Sequence, residues 1–190
     1  MATETTDPLT GAGPSRNSRP PTAQAALGVG VIVEDGQGRV LLGRHHSGTW
    51  ELPGGKVDPT HESVAAAAAR ELREETGLDV GESAVDVFAM LHDVIGGINR
   101  ISMAALVRLR SGIPEVTEPH LISAWRWTAP EELPTPLFDP SAQILAAWRP
   151  DLGLTHPPAH LLRITGPESS ADQGPGDPAT DAEKRDQAYE

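Results

Sequence analysis

The sequence predicts a single α/β domain: a mixed sheet with one helix packed on each face. Two observations lead there. Between Leu27 and about Ile164, short apolar β-branched runs alternate with helix-like stretches. One of those stretches, Ser63–Thr76 (SVAAAAARELREET), is an unbroken helix signal, rich in Ala, Glu and Arg and free of internal Gly and Pro.

Taken in order, Leu27–Glu34 (LGVGVIVE) reads as a strand, and Asp35-Gly36-Gln37-Gly38 supplies turn chemistry before the run Arg39–Gly43, so the two runs suggest a hairpin. Glu51-Leu52-Pro53-Gly54-Gly55 breaks the pattern. The Ser63–Thr76 helix ends at Gly77 in a C-cap position. Ala84–His92 and Arg100–Arg110 are strands separated by a turn at Gly96-Gly97-Ile98-Asn99. Leu121–Thr128 is a further strand, followed by a short helical turn at Pro130–Leu133. A second helix, Ser141–Trp148, is announced by Asp139-Pro140. The chain contains no internal repeat.

Composition narrows the function. Asp and Glu number 27 against 15 Lys and Arg, a formal net charge of −12. Such a surface disfavours a nucleic-acid polymer as partner, whereas a small anion can bind if cations neutralise it locally. With no cysteine, neither disulfides nor Cys-ligated zinc hold the fold. No secretory signal pattern opens the chain and no apolar run approaches a membrane span, so a soluble cytoplasmic protein is expected. Residues 1–24 are rich in Thr, Pro, Gly and Ser, and residues 166–190 are acidic with almost nothing large and apolar. Both are expected to be disordered tails around a domain at 25–165.

The informative stretch is Leu52–Glu62 followed by Arg70–Leu78. On the helix, Glu71, Glu74 and Glu75 stand at i, i+3 and i+4, which stacks three carboxylates on one face. Arg70 precedes Glu74 by one helical turn and can pair with it. A carboxylate cluster this dense is what hard divalent cations require. Gly54 and Gly55 permit close backbone approach, so a loop there can turn a carbonyl toward the cluster. Taken singly, a Glu-rich helix is usually a solvated face and a Pro-Gly-Gly usually a turn. It is their order together that carries weight.

This segment resembles the Nudix box of the MutT-type hydrolases. Arg70-Glu71-Leu72-Arg73-Glu74-Glu75-Thr76-Gly77-Leu78 fits its second half at every fixed position, and Glu62 stands before it with Ser63–Ala69 between. The family pattern has five residues between the second Gly and this Glu; here Lys56–His61 makes six. Val40–Arg44 and Trp50–Gly55 before the box are also typical of the family, and Ala124–Trp127 with Pro130–Pro134 resembles the closing strand and turn of nucleotide-directed members.

The resemblance implies an α/β/α Nudix sandwich over roughly Leu27–Trp148 and attack of a metal-activated water on phosphorus. Its cofactor would be Mg²⁺, with Mn²⁺ as substitute, held by Glu71, Glu74, Glu75 and the Gly54 carbonyl. Either Glu71 or Glu74 would accept the water's proton, and Arg70 would orient the carboxylates. Arg44, Trp50, Gly55 and Glu118 are the candidate substrate contacts, with Glu115 an alternative to Glu118. Arg44 is equally readable as a surface residue, and His45 and His46 as solvated loop histidines. Trp125 and Trp127 are expected on opposite faces of their strand, so that at most one reaches the site. The implied substrate is a nucleoside triphosphate. Alternatives are another nucleoside diphosphate derivative such as a sugar nucleotide, or a non-catalytic nucleotide-binding regulatory domain. A small-molecule nucleotide is thus the expected partner, with no membrane, and assembly is open between monomer and homodimer.

Overall fold

The computed structural model describes residues 24–58 and 62–164. Apart from Gln24, the two expected tails lie outside the described residues. Among the described residues, eight strands form one sheet: β1 (Ala26–Glu34), β2 (Val40–His45), β3 (Trp50–Glu51), β4 (Gly54–Lys56), β5 (Asp86–Ile95), β6 (Ile98–Arg108), β7 (Ile122–Thr128) and β8 (His160–Arg163). Helices α1 (Val64–Thr76) and α2 (Asp139–Trp148) cover its two faces.

The sheet is mixed because β1 and β6 run parallel, in register from Ala26↔Arg100 to Glu34↔Arg108. β5 continues antiparallel beside β6, and β8 beside β5. The other edge of β1 belongs to β4, with Gly28↔Lys56 and Gly30↔Gly54. The β1–β2 hairpin is therefore real only at its root, Glu34↔Val40. Beyond that pair, the chain of Pro53 and β4 takes the hydrogen bonds of β1, as in Val31 N–H to Pro53 O at 2.8 Å. β2 then turns away and carries β3 on one edge and β7 on the other.

Alternation along β1 assigns its faces. Val29, Val31 and Val33 join Ala67, Ala68 and Leu72 of α1 in one buried cluster. Ile32 joins Ile144, Leu145 and Ala147 of α2 in the other. On the α2 face β1 also carries Gly28 and Gly30, and a Cβ on Gly30 would lie only 2.6 Å from Ile144 Cδ1. That absence of side chains leaves a hollow between the sheet and the start of α2.

Several expectations are refined. β3, β4 and β8 are too short or too exposed to announce themselves in the sequence. The β5–β6 turn is only Gly96-Gly97, both at positive φ (60° and 79°), while Ile98 and Asn99 pair with Ile95 and Val94. α2 begins two residues early, with Pro140 in its first turn. Trp125 and Trp127 share one face, as residues two apart in a strand must, and both pack on the α1-side cluster.

α1 is capped at both ends. The Ser63 hydroxyl accepts from Ala66 N–H at 2.9 Å, and Gly77, at φ 69°, donates its N–H to Arg73 O at 3.0 Å. Replacing Ser63 by Ala leaves that first-turn donor without its partner and should lower stability by about 1 kcal/mol. A denaturant midpoint that does not move would refute the capping role.

Candidate active site

The site begins with a close approach of backbone to backbone. Gly54 has φ 147°, and a Cβ there would fall 2.1 Å from Val29 O. Only glycine fits. Gly55 is constrained from the opposite side, since its Cβ would meet Glu71 Oε1 at 2.4 Å. The helix thus rests its carboxylates directly on β4. Gly54 N–H donates to Glu75 Oε2 at 2.9 Å, tying the helix to the strand.

Arg70 is the local hub. Its Nε and Nη2 donate to the two oxygens of Glu62 at 2.7 and 3.0 Å, a bidentate pair. Its Nη1 lies 2.9 Å from both Glu71 Oε1 and Glu74 Oε2, and Nη2 also donates to Lys56 O at 3.0 Å. Glu62 additionally accepts from Asp58 N–H at 2.9 Å. The extra residue in the loop before α1 therefore does not turn Glu62 away. Hydrogen bonds from Arg70 hold the Glu62 carboxyl below its ordinary range.

The remaining acids are crowded. Burial, reinforced by the charges of Glu71, Glu51 and Glu118, pushes the Glu75 carboxyl up to about 8 against the bond from Gly54. Burial also raises Glu71, with Glu74 and Glu118 repelling it and Arg70 opposing the rise. Glu51 is raised by burial as well. Glu118 thus faces the carboxylates. Glu115 instead packs at the end of α1, its N–H donating to Thr76 O at 2.8 Å. Thr117 Oγ1 donates to Glu74 O and Trp125 Nε1 to Glu75 O, so the loop before β7 clasps the same helix.

Among the described residues, no three acidic or histidine side chains already converge as a ready-made cation cage. Glu71 and Glu74 each turn an oxygen to Arg70, and Glu75 turns one to Gly54. The donor chemistry nevertheless suits a hard divalent cation: all oxygen, net negative, and strained by mutual repulsion that such an ion would relieve.

On the α2 face lies a cavity of about 310 Å³. Its floor is Gly28 and Gly30 with Arg100 and Ser102 of β6. Gly54, Gly55, Glu51 and Lys56 form the wall nearest the carboxylates, and Phe138, Ser141 and Ile144 form the side toward α2. Gly54 and Gly55 thus border both the acidic cluster and the hollow. Arg44 and Trp50 do not line it. They form a stack of their own, with the Arg126 guanidinium 4.4 Å and the Arg44 guanidinium 5.3 Å from the Trp50 ring, and Arg44 Nη1 donating to Gly48 O at 2.6 Å. His45 and His46 make local bonds, to Ser47 and to Pro119 O.

Sequence reasoning missed Glu51, Arg100, Ser102 and Phe138. Glu51 and Phe138 had signals, one three residues before the glycine pair and the other an aromatic directly before a helix start. Arg100 and Ser102 had none, because only the parallel β1–β6 register brings them across from Ala26 and Gly28.

Comparison with known proteins agrees with this architecture. Residues 25–148 match the family model of the NUDIX domain. The chain is 32% identical over 127 residues to the RNA pyrophosphohydrolase of Novosphingobium aromaticivorans, covering 56% of this chain and 78% of that protein. It is 30% identical over 130 residues to the CTP pyrophosphohydrolase of Escherichia coli, covering 63% and 88%. The MutT-like protein of Streptomyces ambofaciens matches at 37% over only 42% of its length. Among solved structures, the MutT NUDIX hydrolase of Burkholderia pseudomallei superposes with a TM-score of 0.58 at 31% identity, covering 65% of this chain and 97% of that one. With the family model spanning β1–β7, both helices and the whole carboxylate segment, the chain belongs to the Nudix hydrolase family.

Proposed function

We propose that this enzyme hydrolyses a nucleoside triphosphate to a nucleoside monophosphate and pyrophosphate. The observation that carries the reading is the shared wall: Gly54 and Gly55 separate a cluster of carboxylates from a hollow whose volume, about 310 Å³, falls in the range of small-molecule sites. A polyphosphate lying along that wall would place its phosphates at the acids and its nucleoside over the Gly28–Gly30 floor. Two of the relatives are a CTP pyrophosphohydrolase and an RNA pyrophosphohydrolase, which supports cleavage of a pyrophosphate bond.

Nudix enzymes generally use divalent metal ions, and Mg²⁺, with Mn²⁺ as substitute, fits the oxygen donors here. Glu71, Glu74 and Glu75 with the Gly54 carbonyl would hold it. When bound, such an ion supplies charge neutralisation for the phosphates and acidifies water. The chain's own part is positional. Glu71 or Glu74 accepts a proton from the attacking water, whose oxygen bonds to phosphorus as the bond to the leaving pyrophosphate breaks. Arg70 keeps Glu71 and Glu74 aligned and anchors Glu62, while Glu118 adds a further acid from the loop. Phe138, on the rim of the hollow, offers a flat face to a base. Lys56 stands beside the phosphate path.

Incubation with nucleoside triphosphates, sugar nucleotides and dinucleoside polyphosphates in Mg²⁺, following phosphate and pyrophosphate, tests the class. Pyrophosphate release from triphosphates is expected; turnover confined to sugar nucleotides would replace the substrate named here. Glu71→Gln should lower kcat by about 100-fold or more. Full turnover by a folded E71Q protein would sink the mechanism.

A pH test follows from Glu75. Its folded carboxyl titrates near 8 against an ordinary value of 4.5, so the fold favours the protonated form. In chelator, the resulting stabilisation should be complete below about 4.5 and fade as pH rises through 8. Melting temperature is expected to fall across that window in EDTA and to recover with Mg²⁺. The Glu75→Gln protein should show a flatter profile; an unchanged slope in that variant would assign the pH effect elsewhere.

A further inference from the structure

The hollow has two cations, Lys56 and Arg100, and the phosphate chemistry leaves Arg100 unused. Arg100 lines it on β6, opposite Ala26, whereas Gly54 stands opposite Gly30. Four residues along β1 separate those levels, roughly 13 Å of strand. Arg100 therefore lies at the end of the hollow remote from the carboxylates.

Its guanidinium is fixed. Nε donates to Asp93 Oδ1 at 3.1 Å and Nη2 to Asp93 Oδ2 at 2.6 Å, a two-pronged pair across the β5–β6 register. The Asp93 side chain is only 4% exposed. Gln143 of α2, itself buried, lies beside Asp93 and donates from Nε2 to Pro157 O at 3.1 Å. Asp93 neutralises Arg100, so this end of the hollow is poorly suited to a second phosphate. What remains is Nη1, the one guanidinium nitrogen without a partner among the described residues.

We infer that Arg100 is a specificity-determining residue, its Nη1 donating to a carbonyl oxygen of the nucleobase, with Asp93 and Gln143 as positioning residues. This rests on the nucleoside triphosphate reading above. Guanine, hypoxanthine, cytosine, uracil and thymine each carry such an oxygen. Adenine does not, and where guanine and hypoxanthine present O6 it presents an amino donor, which faces the guanidinium donor to donor. Asp93 takes only the Nε edge of the guanidinium, one N–H each from Nε and Nη2, and leaves Nη1 with the second N–H of Nη2 on the outer edge. The contact therefore reads oxo against amino, and a purine presenting O6 and N7 is met by both outer nitrogens.

ITP and ATP differ at that position and make the test. A charge-assisted hydrogen bond gained in one case and lost in the other should favour ITP in kcat/KM by about tenfold to a hundredfold. Arg100→Lys keeps a cation beside Asp93 but loses the planar fork, and should bring the ratio close to one. Asp93→Asn, which frees the guanidinium, should lower the ratio through KM with kcat for ITP little changed. The wild-type ratio stands even if both variants fail to fold. Turnover of ITP and ATP at equal kcat/KM overturns the inference and leaves the hydrolase intact. If neither triphosphate is cleaved, calorimetric binding of inosine and adenosine monophosphates reads the same contact without chemistry. Tighter binding of the inosine nucleotide supports Arg100 independently of the reaction, and equal or absent binding of both overturns it.

Discussion

The arrangement depends on one constraint, the seating of a carboxylate-bearing helix directly on a strand made of two glycines. Gly54 cannot carry a Cβ because Val29 O occupies the place, and a Cβ on Gly55 would displace the Glu71 carboxylate. The contact is sealed by the Gly54 N–H to Glu75. From it follow the distance between α1 and the sheet, the burial that perturbs Glu71 and Glu75, and the direction in which the loop before α1 must run. Arg70 then tethers that loop through Glu62.

Concentrating acids in this way carries an energetic cost in the absence of a counter-ion. Arg70 meets three carboxylates, yet Glu51, Glu75 and Glu118 lie beyond its direct bonds. The raised carboxyls record desolvation first, with the repulsion of neighbouring carboxylates added to it. The fold tolerates it because the buried stripe of α1 adjoins the acids: Ala67 and Ala68 lie one turn before Glu71 and Leu72 one turn before Glu75, all three fully buried in the cluster shared with β1 and β6. The same side of the helix thus supplies stability and holds the charge.

How much of this was legible in the sequence divides by range. α1, its Gly77 cap and its acidic face come from spacing within a single turn or two, and local patterns of that kind are visible in a string of residues; Ser63 reads there as the first helical residue and is instead the N-cap. The same holds for Arg70 with Glu74. β1, β5, β6 and β7 were legible from apolar runs, within two or three residues at their ends. β4 was not, because a strand of Gly-Gly-Lys has no strand propensity and exists only through its pairing with β1. Arg44 and Trp50 stand out in the sequence by their nearness to the box; their packing with Arg126 does not, since it comes from the pairing of β2 with β3 and β7. Arg100 lies far along the chain from the glycine pair and enters the hollow only because β6 runs parallel beside β1.

The two glycines beneath the hollow differ in what their replacement would disturb. At Gly30 a new side chain presses on the side-chain tip of Ile144, 2.6 Å away, so volume there is exchanged against α2. At Gly28 it presses on Gly55 O, 3.0 Å away, and hence on the strand that seats the carboxylates. A lineage descending from this sequence could therefore retune pocket capacity at one codon while leaving its chemistry untouched. At the other, scarcely 7 Å along the same strand, any change of appetite would be inherited together with a change of rate.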